Sequence, residues 1–236
     1  MTASGKRVLI LQHAEPEGPG RILRALREVG VGHVLVRSDL GEAVPRTLDG
    51  FGGLVLMGGP QGVYEEHIHP FLRAERELVE HGLASRIPIL GVCLGSQILA
   101  NALGSPVKPG GRIELGWRPV SLSAQTSQDS VLQHLPAVFT PFHWHGDVYP
   151  LPSSTLPVGS SEMTAVQGFV LDSRVYGLLF HLEVAERQVA AMAEAFPGDV
   201  RRAGLDTAGL MSDTARHAPG LEVTAMKVFR SWAMLV

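Results

Sequence analysis

Cysteine is almost missing from this chain: Cys93 is the only one in 236 residues. One thiol cannot close an internal disulfide, so a reducing cytoplasm is the expected location. Charged residues are also sparse, at 18%, and a net charge of −3 offers no basic surface for nucleic acid or an anionic membrane. No apolar run approaches the roughly 20 residues of a membrane span, and the opening MTASGKRVLI lacks the apolar stretch of a signal peptide. There is no G-x-x-x-x-G-K-[ST] phosphate loop, internal repeat, low-complexity tract or convincing linker. What remains is a soluble protein, 45% hydrophobic, long enough to bury a sizeable core as one domain over 1–236.

VLIL (8–11), LVLM (54–57) and IPIL (87–90) are short, unbroken apolar runs, the pattern of parallel strands covered on both faces. Between them Ile22, Leu23, Leu26 and Val29, and then Leu72, Leu78 and Val79, recur at helical spacing. Strands alternating with helices predict a doubly wound, mostly parallel α/β sheet with helices on both faces. After residue 104 the texture changes. RIELGWRPVSLS, FTPFHWH, TAVQGFV and VYGLLF, separated by Gly, Pro and Ser, predict added antiparallel strands. From 184 to 236 the chain returns to helix as an extension packed on the domain. AERQVAAMAEAF stops at Pro197, and a last helix carries Leu221, Ala225, Val228, Phe229, Trp232 and Leu235 on one stripe.

The lone thiol sits in ILGVCLGSQILA (89–100), where an apolar strand becomes a helix. G-V-C-L-G has the form of a nucleophile elbow, with sulfur in place of a serine oxygen. So sharp a turn crowds the residues two before and two after the nucleophile, and a missing Cβ relieves that crowding. The sulfur would lie over a helix N-terminus, where free N–H groups favour thiolate below the free pKa of about 8.5, with the Leu94 N–H aimed where an oxyanion forms. On these five residues alone, a small cysteine buried at a tight turn explains the pattern equally well.

A thiolate nucleophile needs a base, and the base an orienter. LLFHLEV (178–184) puts His181 and Glu183 two residues apart at a strand end, on one face, so the carboxylate can hold one ring nitrogen while the other faces a thiol. The competing reading is a surface pair at the end of a hairpin. LVLMGGPQG (54–62) ends a strand in glycines whose freed N–H groups can hold an oxyanion, though an ordinary turn has the same composition.

GGP, then G-x-C-x-G-x-Q, then F-H-x-E, in that order over roughly residues 5–185, resemble the class I glutamine amidotransferases. The resemblance is to the glutaminase domain of GMP synthetase and small stand-alone proteins similar to it. It implies a flavodoxin-like fold and a triad of Cys93 as nucleophile, His181 as general base and acid, and Glu183 as orienter. It further implies an oxyanion hole from the N–H groups of Gly59 and Leu94, with Gly58 and Gln97 binding substrate. HWHGDVYPLP (143–152) matches the family's His-Gly-Asp loop, which would border the pocket through His145, Gly146 and Asp147. ELGW (114–117) matches a segment of the stand-alone members. No cofactor is implied.

Two positions depart from the family pattern. Leu182 stands where the family has proline, which predicts a less fixed backbone beside His181, and Ser96 stands where many members carry His or Met, which predicts a change of pocket shape. A rival reading takes His143, His145 and Asp147 as a metal-binding H-x-H-x-D run, but Val148 stands where that pattern continues with another His. The expected activity is thiol hydrolysis of the glutamine γ-amide, with ammonia passed to a separate synthetase, since no ATP-binding segment is present. The alternatives are a free-standing hydrolase or peptidase of γ-glutamyl compounds, and a binding module without turnover, which an intact triad argues against.

Overall fold

The structure, a computed structural model, describes residues 7–236; the first six residues of the opening segment lie outside the described residues. In chain order the strands are β1 (Arg7–Gln12), β2 (Gly32–Arg37), β3 (Gly53–Leu56), β4 (Ile89–Val92), β5 (Lys108–Trp117), β6 (Val120–Leu122), β7 (Val138–Phe139), β8 (Phe142–Val148), β9 (Leu156–Pro157), β10 (Gly159–Ser160), β11 (Gly168–Leu171) and β12 (Val175–Leu178). The helices are α1 (Gly20–Glu28), α2 (Phe71–Ala84), α3 (Leu94–Ala102), α4 (Glu186–Ala195), α5 (Pro197–Arg202) and α6 (Thr207–Ala233).

The main sheet has seven strands in the order β2-β1-β3-β4-β12-β11-β9. The first five run parallel, and β11 and β9 each pair antiparallel with their neighbour. This is the flavodoxin-like, mostly parallel sheet with antiparallel additions: β10-β6-β7 and the pair β5-β8 form two further small sheets. The exposed edge strand β2 has no apolar alternation and is not legible in the sequence.

Alternation along β1 explains the layers, because successive side chains point to opposite faces. Val8 and Ile10 join the core under α1 and α6 through Ile22, Leu26, Phe229 and Trp232. Leu9 and Leu11 join the core under α2 and α3 through Leu72, Leu78, Ile98 and Leu99. A third cluster, with Leu115, Phe142, Trp144, Met192, Val200 and Leu210, seals β5 and β8 against α4, α5 and α6. The stripe expected at the C-terminus packs on the sheet as read, except that α6 ends at Ala233, before Leu235. No helix is long and apolar enough to cross a membrane.

In a parallel sheet of this kind the carboxyl ends of the strands share one edge, the usual place for a ligand. Here β1, β3, β4 and β12 deliver His13 and Glu17, Gly58 and Gly59, Cys93, and His181 and Glu183 to that edge.

Candidate active site

Cys93 is the residue between β4 and α3, with φ +50° and ψ −109°, a conformation L-residues rarely adopt. The turn is held by packing. A Cβ on Gly91 would lie 2.5 Å from the Gly95 carbonyl oxygen, and one on Gly95 would lie 2.1 Å from that of Leu56 on β3. Both glycines are therefore sterically required, as the elbow pattern predicts. The sulfur is buried, and its S–H donates to the Trp144 carbonyl at 3.4 Å.

His181 and Glu183 follow β12 and are both buried, so they are not a surface pair. The His181 Nδ1 bonds Glu183 Oε1 at 2.6 Å, while Nε2 has no protein partner and is left to face the thiol. The electrostatics differ from the sequence expectation. Burial pushes the Cys93 thiol up rather than down, opposed by the imidazole of His181 beside it. Burial also works against the imidazolium, but the charge and hydrogen bond of Glu183, with the thiol of Cys93 beside it, override it and raise His181 well above 6.5. The two groups titrate as a coupled pair, and the helix N-terminus does not by itself bring the thiol below its ordinary value.

Leu182 does not loosen this segment. Its side chain is buried, and the backbone around it is clamped. His181 N–H donates to the Phe142 carbonyl at 2.8 Å and the Arg21 N–H to that of Glu183 at 3.0 Å. The buried Arg21 guanidinium donates to the carbonyls of Leu182, Val184 and Ala218. Ser96 does not shape the cavity either. It is buried in α3, donates to the Cys93 carbonyl at 2.8 Å and accepts from Tyr149 at 3.1 Å.

A cavity of about 720 Å³ opens above the sulfur. Cys93, Gly59, Gln97, His145, Gly146 and Asp147 line it, together with Glu17, Tyr64 and Arg112. Leu94 is the first residue of α3, so its N–H has no intrahelical acceptor, and Gly59 lies against its side chain. Gly58 does not line the cavity. Its carbonyl faces the His13 ring at 3.2 Å, and a Cβ there would lie 2.1 Å from Glu17 Oε2.

His143 and His145 alternate on β8 as read, but the carboxylate they face is Glu114 of the paired strand β5, not Asp147. His145 Nε2 stands 3.4 Å and His143 Nδ1 3.9 Å from Glu114, whose Oε2 also accepts from Thr164 and Gln167. Burial alone would raise Glu114, yet the two imidazoles and the hydroxyls around it hold it at about 2. Burial, ahead of every other cause, pushes His143 down to about 3 and so keeps it neutral. Donor atoms of Glu114, His143 and His145 lie within 4.8 Å of one another, as do those of Glu17, Cys93 and His181, so both sets have the spacing to take a divalent cation.

Two residues of the site escaped the sequence reading. Buried His13 bonds Glu75 at 2.8 Å and the Met57 carbonyl at 3.0 Å, bracing the strand end that presents Gly58 and Gly59. Glu17 lies in the cavity beside Cys93 and His181. The available signal was position: both follow the carboxyl end of β1, the first strand of an α/β sheet.

The family model for "Glutamine amidotransferase class-I" matches residues 20–196. The chain is 30% identical over 191 residues to the glutamine amidotransferase-like protein YfeJ of Salmonella typhimurium, covering 80% of each. It is 32% identical over 167 residues to a glutamine-hydrolyzing GMP synthase subunit of Thermoplasma acidophilum, covering 70% of this chain and 78% of that one. The structure of a glutamine amidotransferase from Thermotoga maritima superposes with a TM-score of 0.87 at 33% identity, covering 97% of this chain and 98% of the other.

Proposed function

The chain belongs to the class I glutamine amidotransferases, and from that premise we propose that it hydrolyses the γ-amide of glutamine through a γ-glutamyl thioester on Cys93. The observation carrying this reading is the buried His181–Glu183 pair at 2.6 Å, with the second imidazole nitrogen free beside a thiol on a strained elbow. His181 takes the thiol proton as sulfur adds to the carbonyl carbon of the side-chain amide. The amide π electrons move onto oxygen, and in this reading the N–H groups of Gly59 and Leu94 receive that oxyanion. As the carbonyl re-forms, the C–N bond breaks and His181 returns its proton to the departing nitrogen. Water, deprotonated by His181, then releases glutamate from the thioester. Glu183 keeps the tautomer and supports the imidazolium. In this reading the ammonia passes to a separate synthetase, a role suggested by the relative named as one subunit of GMP synthase.

Two observations favour a second reading, a free-standing hydrolase of γ-glutamyl compounds. The cavity, about 720 Å³, is in the range that holds drug-sized ligands. The Arg21 clamp fixes His181 without a partner. The test is kcat/KM of the purified protein on glutamine and on γ-glutamyl peptides and amines, with Cys93→Ala as control. Glutamine preferred, with activity rising on addition of a synthetase, supports the first reading. Full partner-free activity that prefers γ-glutamyl peptides or amines supports the second, and no Cys93-dependent turnover of either refutes both.

A further inference from the structure

We propose that Glu17 is a further catalytic residue, whose carboxylate receives an N–H of the departing nitrogen and stabilises the positive charge that develops there as the γ-amide breaks. The inference rests on the thioester reading above and holds for either substrate class, since glutamine and γ-glutamyl amines both leave through nitrogen.

Geometry carries the argument. A Glu17 carboxylate oxygen lies within 4.8 Å of both the Cys93 sulfur and a His181 ring nitrogen. In the thioester mechanism the scissile nitrogen must occupy the space between these two groups. It is bonded to the carbon that sulfur attacks, and it must come within hydrogen-bond distance of His181 to be protonated. Glu17 therefore borders the leaving nitrogen's position on a third side. Its side chain is buried yet lines the cavity. A carboxylate so placed takes its hydrogen bonds from whatever fills the cavity, water or the group being cleaved. The fold also makes room for it, since any side chain at Gly58 would collide with Glu17 Oε2.

The groups around Glu17 agree with the role. His13 and His181 face it with positive or potentially positive rings, whereas Glu183 and Asp199 oppose its charge. Burial, the largest cause, lifts its pKa to about 7, so it is available as an acceptor at and above neutrality. In the step itself Glu17 gains and loses no proton. The proton on the departing nitrogen comes from His181, and the carboxylate accepts a hydrogen bond from the N–H as ammonia or a primary amine leaves. This contact exists only when the leaving atom is nitrogen.

That condition defines the experiment. Wild type and Glu17→Gln, a neutral near-isostere, are compared on glutamine and on the γ-methyl ester of glutamate, which forms the same thioester but expels an alcohol. The readout is kcat/KM, which reports acylation. Removing one preorganised electrostatic contact to a transition state costs on the order of 10²–10³-fold, so glutamine hydrolysis should fall about a hundredfold while ester hydrolysis stays within about threefold. Glu17→Asp, which keeps the charge, should recover part of the amide activity. Equal losses on both substrates would make Glu17 a structural residue, and no loss on either would make it a bystander; each overturns the proposal. Wild type inactive on both substrates would instead overturn the thioester reading on which the proposal rests.

Discussion

Glu17→Gln should stabilise the protein above neutral pH while it impairs the chemistry. The Glu17 carboxyl is buried at the cavity wall, and burial moves its pKa from an ordinary 4.5 to about 7. Between those values the folded chain holds a proton that the unfolded chain has released, so stability falls as pH rises through this window. Above pH 7 the full penalty applies. At roughly 1.4 kcal/mol per pH unit it amounts to about 3 kcal/mol. Glutamine at this position cannot ionise and escapes it. For a chain of this length 1 kcal/mol moves Tm by roughly 2–4 °C, which gives a gain of about 6–12 °C at pH 8. Near pH 4.5 the wild-type carboxyl is protonated and the two proteins should melt together. The assay is paired urea and thermal unfolding of both proteins at steps from pH 4.5 to 8.5. A difference that stays constant with pH, or a wild type that is the more stable at pH 8, would refute the reasoning. A gain in stability with a loss of amide turnover is expected where a site holds an unfavourable charge for function.

Other expectations can be checked on the same footing. An electrophilic glutamine analogue should label the protein once, at Cys93, and labelling should follow the coupled Cys93–His181 titration, so His181→Ala should suppress it; rapid labelling in that variant would disprove the coupling. His181→Ala should remove nearly all turnover, whereas Glu183→Gln should be milder by roughly one to two orders of magnitude, since it orients and does not transfer protons; steady-state kcat for both decides this. Arg21→Met should cost about 2–4 kcal/mol in urea unfolding and lower kcat more than it raises KM, because three buried carbonyls lose their donor and the strand end holding His181 loosens. Gly95→Ala should fail to give soluble protein, because the new Cβ would lie 2.1 Å from the backbone oxygen of Leu56, which has nowhere to move inside the sheet.

The sequence alone determined the layered α/β fold and singled out Cys93, His181 and Glu183 as the candidate triad, and the reason is local. Strand runs such as VLIL and LVLM, the glycines flanking Cys93, and the two-residue spacing of His181 and Glu183 each express their geometry within a few residues. What lay between separate segments was decided by the tertiary structure. The carboxylate facing His143 and His145 is Glu114 because strand register sets β5 opposite β8, and spacing along one strand had suggested Asp147. Leu182 is held firmly because Arg21, 161 positions away, reaches its carbonyl. The direction of the Cys93 pKa follows from burial, which no short motif encodes. Glu17 meets Cys93 and His181 only because a parallel sheet brings the carboxyl ends of β1, β4 and β12 to one edge, so that residues from three distant segments enclose a few ångströms of space.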